Sequence, residues 1–228
     1  MIYTVIADYR KLVKEAVTSG KIYYFLPENV RERIEKPKSE EVMLSSMGGY
    51  LLLYHVVRFL FGKEDFNINY REDGKPEFVI HEGSLPITFN ISHSGGLAAV
   101  CVCDEGYDVG VDIQESVDPE RAERLGKRFL DFDINVKTEL ETVYLFGAFA
   151  PDGNCMFAEI PYRSLKKGDH CTDITDKWSL TEALVKCDGK GFCQRDNVLD
   201  SLEKMCSETV KISYKGKSYS VSTAAEKS

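Results

Sequence analysis

Residues 87–114, ITFNISHSGGLAAVCVCDEGYDVGVDIQ, decide how this chain is read. Apolar and β-branched residues gather into three short runs: Ile87–Ser92, Leu97–Cys103 and Asp108–Gln114. Gly-rich or polar breaks separate them, so each run reads as a strand. The last run alternates. On a strand, Val109, Val111 and Ile113 face one way, while Gly110, Asp112 and Gln114 face the other.

Outward from this core, Met1–Tyr9 reads as a strand and Ser39–Phe61 as the strongest helix, with Met43, Met47, Tyr50, Leu51, Tyr54, Val57 and Phe61 at helical spacing. Gly48-Gly49 inside that helix marks either close packing or a kink. Asp73–Pro76 is a turn by composition, and Glu77–His81 a short strand. Pro119–Leu130 reads as a helix, Phe146–Phe149 with the turn Pro151–Asn154 as a hairpin, Trp178–Cys187 as a short helix, and Ile212–Ser222 as a strand pair. Helices and small segregated sheets, without regular βαβ alternation, indicate an α+β fold.

The chain has 228 residues, 43% hydrophobic and 29% charged, which suffices for a real core. Its net charge of −8 argues against a general nucleic-acid binder. Seven Cys are too few, and odd in number, for a disulfide scaffold, and they show no zinc spacing, so free thiols are expected. No signal peptide is visible, and the most apolar run, Tyr50–Gly62, falls short of the roughly 20 residues needed to span a bilayer. A cytoplasmic protein that binds no membrane is the expectation.

Charge is uneven. Residues 1–75 carry 12 Lys+Arg and 11 Asp+Glu, a net of +1, which leaves −9 for the remainder. Residues 104–120 hold seven acids and no Lys or Arg. This is either an acidic solvated loop or a cation site.

Three segments could carry chemistry. Asp112 and Gln114 would present two oxygen ligands on one strand face, with Gly110 leaving space for a ligand. A hard ion such as Mg²⁺ suits such a set, although an amphipathic edge strand looks the same. At a spacing of four, Trp178, Glu182 and Lys186 share a helix face, as an active-site wall or a surface ion pair. Ser179-x-x-Glu182 also matches a capping box. Ser92 and His93, before a Gly pair, could donate to an anion. Adjacent strand residues point to opposite faces, so they are poorly placed as a Ser–His nucleophile pair.

Taken in order, Gly74-Lys75-Pro76, FNISHSG (89–95), GVDIQ (110–114) and WSLTEALVKCDGKGF (178–192) resemble the motifs of Sfp-type 4′-phosphopantetheinyl transferases. Those are GKP, FNISHS, G(V/I)D(I/V)E and W(S/T)xKE(A/S)xxK followed by Gly-Lys-Gly. Arg128-Phe129 is similar to the (K/R)RFF segment, whereas 131–177 departs from the pattern. The resemblance implies two similar α+β halves in a pseudo-twofold arrangement, 1–108 and 109–228, with the ligand cleft between them. It implies Mg²⁺-dependent transfer of the phosphopantetheine arm of coenzyme A to a Ser of an apo acyl or peptidyl carrier protein, releasing 3′,5′-ADP.

Position by position, the resemblance makes Asp112 and Glu182 metal ligands, with Gln114 at a third ligand position. Glu182 becomes the acceptor of the Ser proton. Lys186 and His93 would contact phosphates, Ser92 would help hold one, and Lys75 and Pro76 would lie along the adenine. Arg31, Arg33, Lys36 and Lys38 are candidates for the outer phosphate of coenzyme A. A monomer suffices, because one chain holds both halves. An acidic carrier would need a basic patch, with Arg121, Arg124, Lys127 and Arg128 as candidates. Three positions depart from the family: Gln114 replaces an acid, Thr181 a Lys and Leu44 an Arg. They leave a catalytically weak or inactive CoA- or carrier-binding member as the alternative.

Overall fold

The computed structural model describes residues 1–19, 26–36, 39–63, 66–72, 74–79, 87–118, 120–121, 123–124, 140–149, 155–160, 163–164, 173–189 and 202–226. Its elements in chain order are β1 (Ile2–Asp8), α1 (Tyr9–Ser19), α2 (Glu28–Glu35), α3 (Glu40–Phe61), β2 (Asn67–Tyr70), β3 (Pro76–Val79), β4 (Thr88–Ser94), β5 (Leu97–Cys103), β6 (Asp108–Glu115), β7 (Thr142–Phe149), β8 (Cys155–Glu159), β9 (Arg163–Ser164), α4 (Ile174–Asp188), a 3₁₀ turn (Leu202–Lys204), β10 (Met205–Tyr214) and β11 (Lys217–Glu226).

The fold is α+β. A five-stranded sheet runs in the order β4-β5-β1-β7-β8, a four-stranded sheet β6-β11-β10-β9, and a small ribbon pairs β2 with β3. β1 is antiparallel to β5 and parallel to β7. The second sheet is antiparallel throughout.

Strand alternation sorts the core into layers. Val5, Ala7, Ala98, Val100 and Val102 meet α1 and α3 on one face of the first sheet. Ile2, Ile6, Leu97, Ala99, Cys101 and Cys103 turn the other way, onto Val109, Val111, Ile113, Val210 and Val221 of the second sheet. Because β5 is covered on both faces, it reads LAAVCVC without a polar residue. The far face of the second sheet meets α4 through Ala183, Leu184, Cys187, Met205 and Ala224. Thr4 and Thr223 bridge the two sheets, Oγ1 to Oγ1, at 2.8 Å.

Gly48 and Gly49 serve close packing. A Cβ at Gly48 would lie 2.3 Å from that of Tyr9, and one at Gly49 2.6 Å from Ile91 Cγ2. By length and composition α3 could cross a membrane, yet Tyr50–Val57 are all buried in this core. α4 begins four residues before Trp178. Asp173 is its N-cap, its side chain accepting from Thr175 N–H, so the expected Ser179/Glu182 capping box does not form. Ser179 instead sits inside the helix and donates to the carbonyls of Asp112 and Ser220, at 3.2 and 3.4 Å.

The expected strands at 1–9, 87–92, 97–103 and 108–114 form, shifted by up to two residues. β7 and β8 pair antiparallel as the expected hairpin, and its turn lies outside the described residues. So do most of the expected 119–130 helix, His81 and Lys38. α1 and α2 were not anticipated. Cys101, Cys103, Cys187 and Cys206 are free and buried.

Candidate functional site

The site grows from a seam between two edge strands, β4 of the first sheet and β6 of the second. An edge strand presents unpaired N–H groups that need partners. Here side chains supply them. Asn90 Oδ1 accepts from Val111 N at 3.2 Å, Ser92 Oγ from Ile113 N at 3.4 Å, and Ser94 Oγ from Glu115 N at 3.1 Å. Every second residue of β4 thus reaches β6, and Ser92 and His93 face opposite ways.

Gly110, Asp112 and Gln114 face α4. The space at Gly110 belongs to the helix and not to a ligand: a Cβ there would lie 2.0 Å from Ala183 O and 2.5 Å from Cys187 N. This close approach brings Lys186 over Asp112. Lys186 Nζ donates to Asp112 Oδ1 at 2.7 Å, Ser92 Oγ at 3.1 Å and Val111 O at 3.3 Å, and lies 3.6 Å from Glu182 Oε2. One ammonium therefore links both carboxylates, and its three protons are engaged within the chain.

Ser92 Oγ also donates to Asp112 Oδ1, at 2.8 Å. Asp112 Oδ2 is buried and has no hydrogen-bond partner. Burial raises the pKa of Glu182, and Asp112 adds to the rise while Lys186 opposes it. Gln114 is buried, and its amide nitrogen donates to Ser94 Oγ at 3.2 Å and to Glu115 O at 3.0 Å.

Among the described residues, no three His, Cys, Asp or Glu side chains gather as a metal-holding group. The pair Asp112 and Glu182 still fits a hard cation. Mg²⁺ commonly takes one or two carboxylates, completing its shell with waters and phosphate oxygens, and the orphaned Asp112 Oδ2 lacks a positive partner.

On the His93 side of β4 an open cleft of about 520 Å³ runs between α2, α3, β3 and β4. Its lining includes Arg33, Lys36, Ser46, Tyr50, Pro76, Asn90 and His93, which among the described residues gives two cations and no acid. The His93 ring meets Tyr9 edge-on, with centroids 6.5 Å apart, and its Nε2 lies 3.4 Å from Ser45 Oγ. Although His93 is exposed at the cleft, partial desolvation by its neighbours, and then the charge of Lys186, lower its pKa. The imidazole is therefore neutral at pH 7, a hydrogen-bond donor without a charge.

Two expected ligand contacts are placed elsewhere. Lys75 is buried, and its ammonium donates to Asp108 Oδ1 at 3.0 Å and to Cys187 O, at the C-terminus of α4, at 2.8 Å. It latches strands to a helix, and only its neighbour Pro76 faces the cleft. Ser92 faces β6, where all its hydrogen-bonding capacity is used. Arg33 lines the cleft and stacks on Tyr70, 4.4 Å from the ring centre, whereas Arg31 does not line it.

Sequence reading missed Tyr9, Ser45 and Tyr50 at the site. Their signal is tertiary. The polar alternation Asn90, Ser92, Ser94 was visible and could have announced the seam.

No protein-family model matches the chain, and no curated protein matches it.

Proposed function

We propose that this protein is a 4′-phosphopantetheinyl transferase, moving the phosphopantetheine arm of coenzyme A onto a Ser of an apo acyl or peptidyl carrier protein. One observation carries the reading. Asp112, with a buried oxygen left unpartnered, is joined through Lys186 to Glu182, and β4, which borders this pair at Ser92, also lines a cleft of nucleotide size that holds Arg33 and Lys36 and, among the described residues, no acid. The order of the GKP, FNISHS, GVDIQ and WSLTEALVK segments supports it.

In this reading the adenosine lies along Pro76 and Tyr50, and Arg33 and Lys36 meet the outer phosphate. His93 donates to the pyrophosphate. Mg²⁺, when held by Asp112 and Glu182, supplies positive charge at the pyrophosphate oxygens. Glu182, with its raised pKa, accepts the proton of the carrier Ser. The Ser oxygen bonds to the phosphorus bearing the arm, and the P–O bond to the departing 3′,5′-ADP breaks with its electron pair. Lys186 holds positive charge beside the developing anion. The enzyme so read is a cytoplasmic monomer.

A second reading, a CoA- or carrier-binding protein with little turnover, has one observation in its favour: Lys186 already ion-pairs with both carboxylates.

The test is transfer from coenzyme A, with Mg²⁺, to a panel of apo carrier proteins, followed by mass spectrometry of the carrier. A phosphopantetheine mass increment is expected. No increment on any carrier, with tight CoA binding, leaves the second reading, and absence of CoA binding removes both. Asp112→Ala and Glu182→Gln are each expected to slow transfer about 100-fold or more. Unchanged rates would remove the assignment of these residues.

A further inference from the structure

We propose that Ser92 is a positioning residue: its hydroxyl aims the Asp112 carboxylate and does not touch substrate. What the site binds rests on the transferase reading, whereas the hydrogen-bond geometry does not.

A hydroxyl has one proton to give and two lone pairs to fill. Ser92 Oγ accepts from Ile113 N at 3.4 Å and from Lys186 Nζ at 3.1 Å, and its proton goes to Asp112 Oδ1 at 2.8 Å. Nothing remains for a ligand phosphate, and the residue is 7% exposed. Ile113 N–H belongs to the backbone of β6, so the hydroxyl is anchored to the main chain. Asp112 Oδ1 accepts from both Ser92 and Lys186, and the carboxylate cannot turn without breaking two bonds. That leaves Oδ2 as its one open acceptor, buried and without a partner. Groups that orient a metal-binding side chain are typically worth about 10–100-fold in metal affinity.

The test compares wild type, Ser92→Ala and Ser92→Thr. Mn²⁺ affinity is measured by electron paramagnetic resonance of the free ion, CoA affinity by calorimetry without metal, and Ile113 amide exchange by NMR. Ser92→Ala is expected to weaken Mn²⁺ binding at least about tenfold, to leave CoA affinity within about twofold, too little for a lost phosphate contact, and to speed Ile113 exchange. Ser92→Thr, which keeps the hydroxyl, should restore wild-type values and shows that the site still folds. Wild-type Mn²⁺ affinity in Ser92→Ala overturns the proposal, as does a loss of CoA affinity alone, which would make Ser92 a ligand contact. If wild type binds neither Mn²⁺ nor CoA, the transferase reading fails by itself. Ile113 exchange then decides the positioning role: faster in Ser92→Ala supports it, and unchanged overturns it.

Discussion

Gly110 has no room for a side chain, and this places the site. Its missing Cβ is where the backbone of α4 passes, at Ala183 O and Cys187 N. A methyl group there would lift the helix and carry Lys186 away from Asp112. Gly110→Ala is expected to cost about 3 kcal/mol, the upper end for overpacking against atoms that cannot yield. A urea titration reads this directly, and a loss below about 1 kcal/mol would mean that the helix is not held so closely. Residue identities were legible here, but their directions were only half so. Strand alternation put Asp112 and Gln114 on one face. It could not show that a helix fills the space at Gly110, or that Lys75 turns to Asp108 and Cys187 instead of a ligand. Those facts depend on neighbours 33 to 112 positions away, to which a local pattern is blind.

At the scale of elements, α3 carries a buried titratable group in its apolar middle. His55 is 4% exposed, and burial, with the charge of Arg58 adding, brings its pKa down to about 4 from 6.5. Between those values the unfolded chain takes up a proton that the folded protein refuses. The contribution is therefore complete above pH 6.5 and is lost as pH falls towards 4, by about 3 kcal/mol. His55→Leu should flatten that part of the pH–stability curve. Urea midpoints at pH 7 and pH 4.5 would show it, and an equally steep loss in the variant would shift the cause to carboxylates. The same helix shows what periodicity can do: its apolar stripe was plain, and its ends were placed within one residue. α1 was not anticipated, because RKLVKEAVTS sets only Leu12, Val13, Ala16 and Val17 among polar residues, and Val17 is exposed. α2 is eight residues long and has no side-chain cap, so it depends on burying Val30 and Ile34.

For the whole molecule, two sheets are pressed face to face with helices outside, and polar side chains tie the layers beside the apolar core. Lys75 is one of them. It joins the turn before β3 to the start of β6 and the end of α4. Lys75→Met keeps the volume but leaves the Cys187 carbonyl without its charged donor, and is expected to cost about 2 kcal/mol. Asp108→Asn should cost less, because the Asp108 side chain is 42% exposed and water replaces its partner. Chemical denaturation of both variants checks the order, and equal losses would mean that the carboxylate, not the helix end, is what Lys75 serves.

The placing of β1 and β6 also governs how the chain becomes ordered in time. β1 has its partners downstream, at 97–103 and 142–147. β6 pairs along its whole length with 219–226, more than 100 positions further on. A nascent chain halted at residue 200 therefore holds β6 without its sheet, and the carboxylate of Asp112 without its rigid frame. Such distant pairings make refolding slow, on the order of milliseconds to seconds. Until its partners are made, each strand is an open edge, and chaperones or stray β-partners have that interval in which to find it.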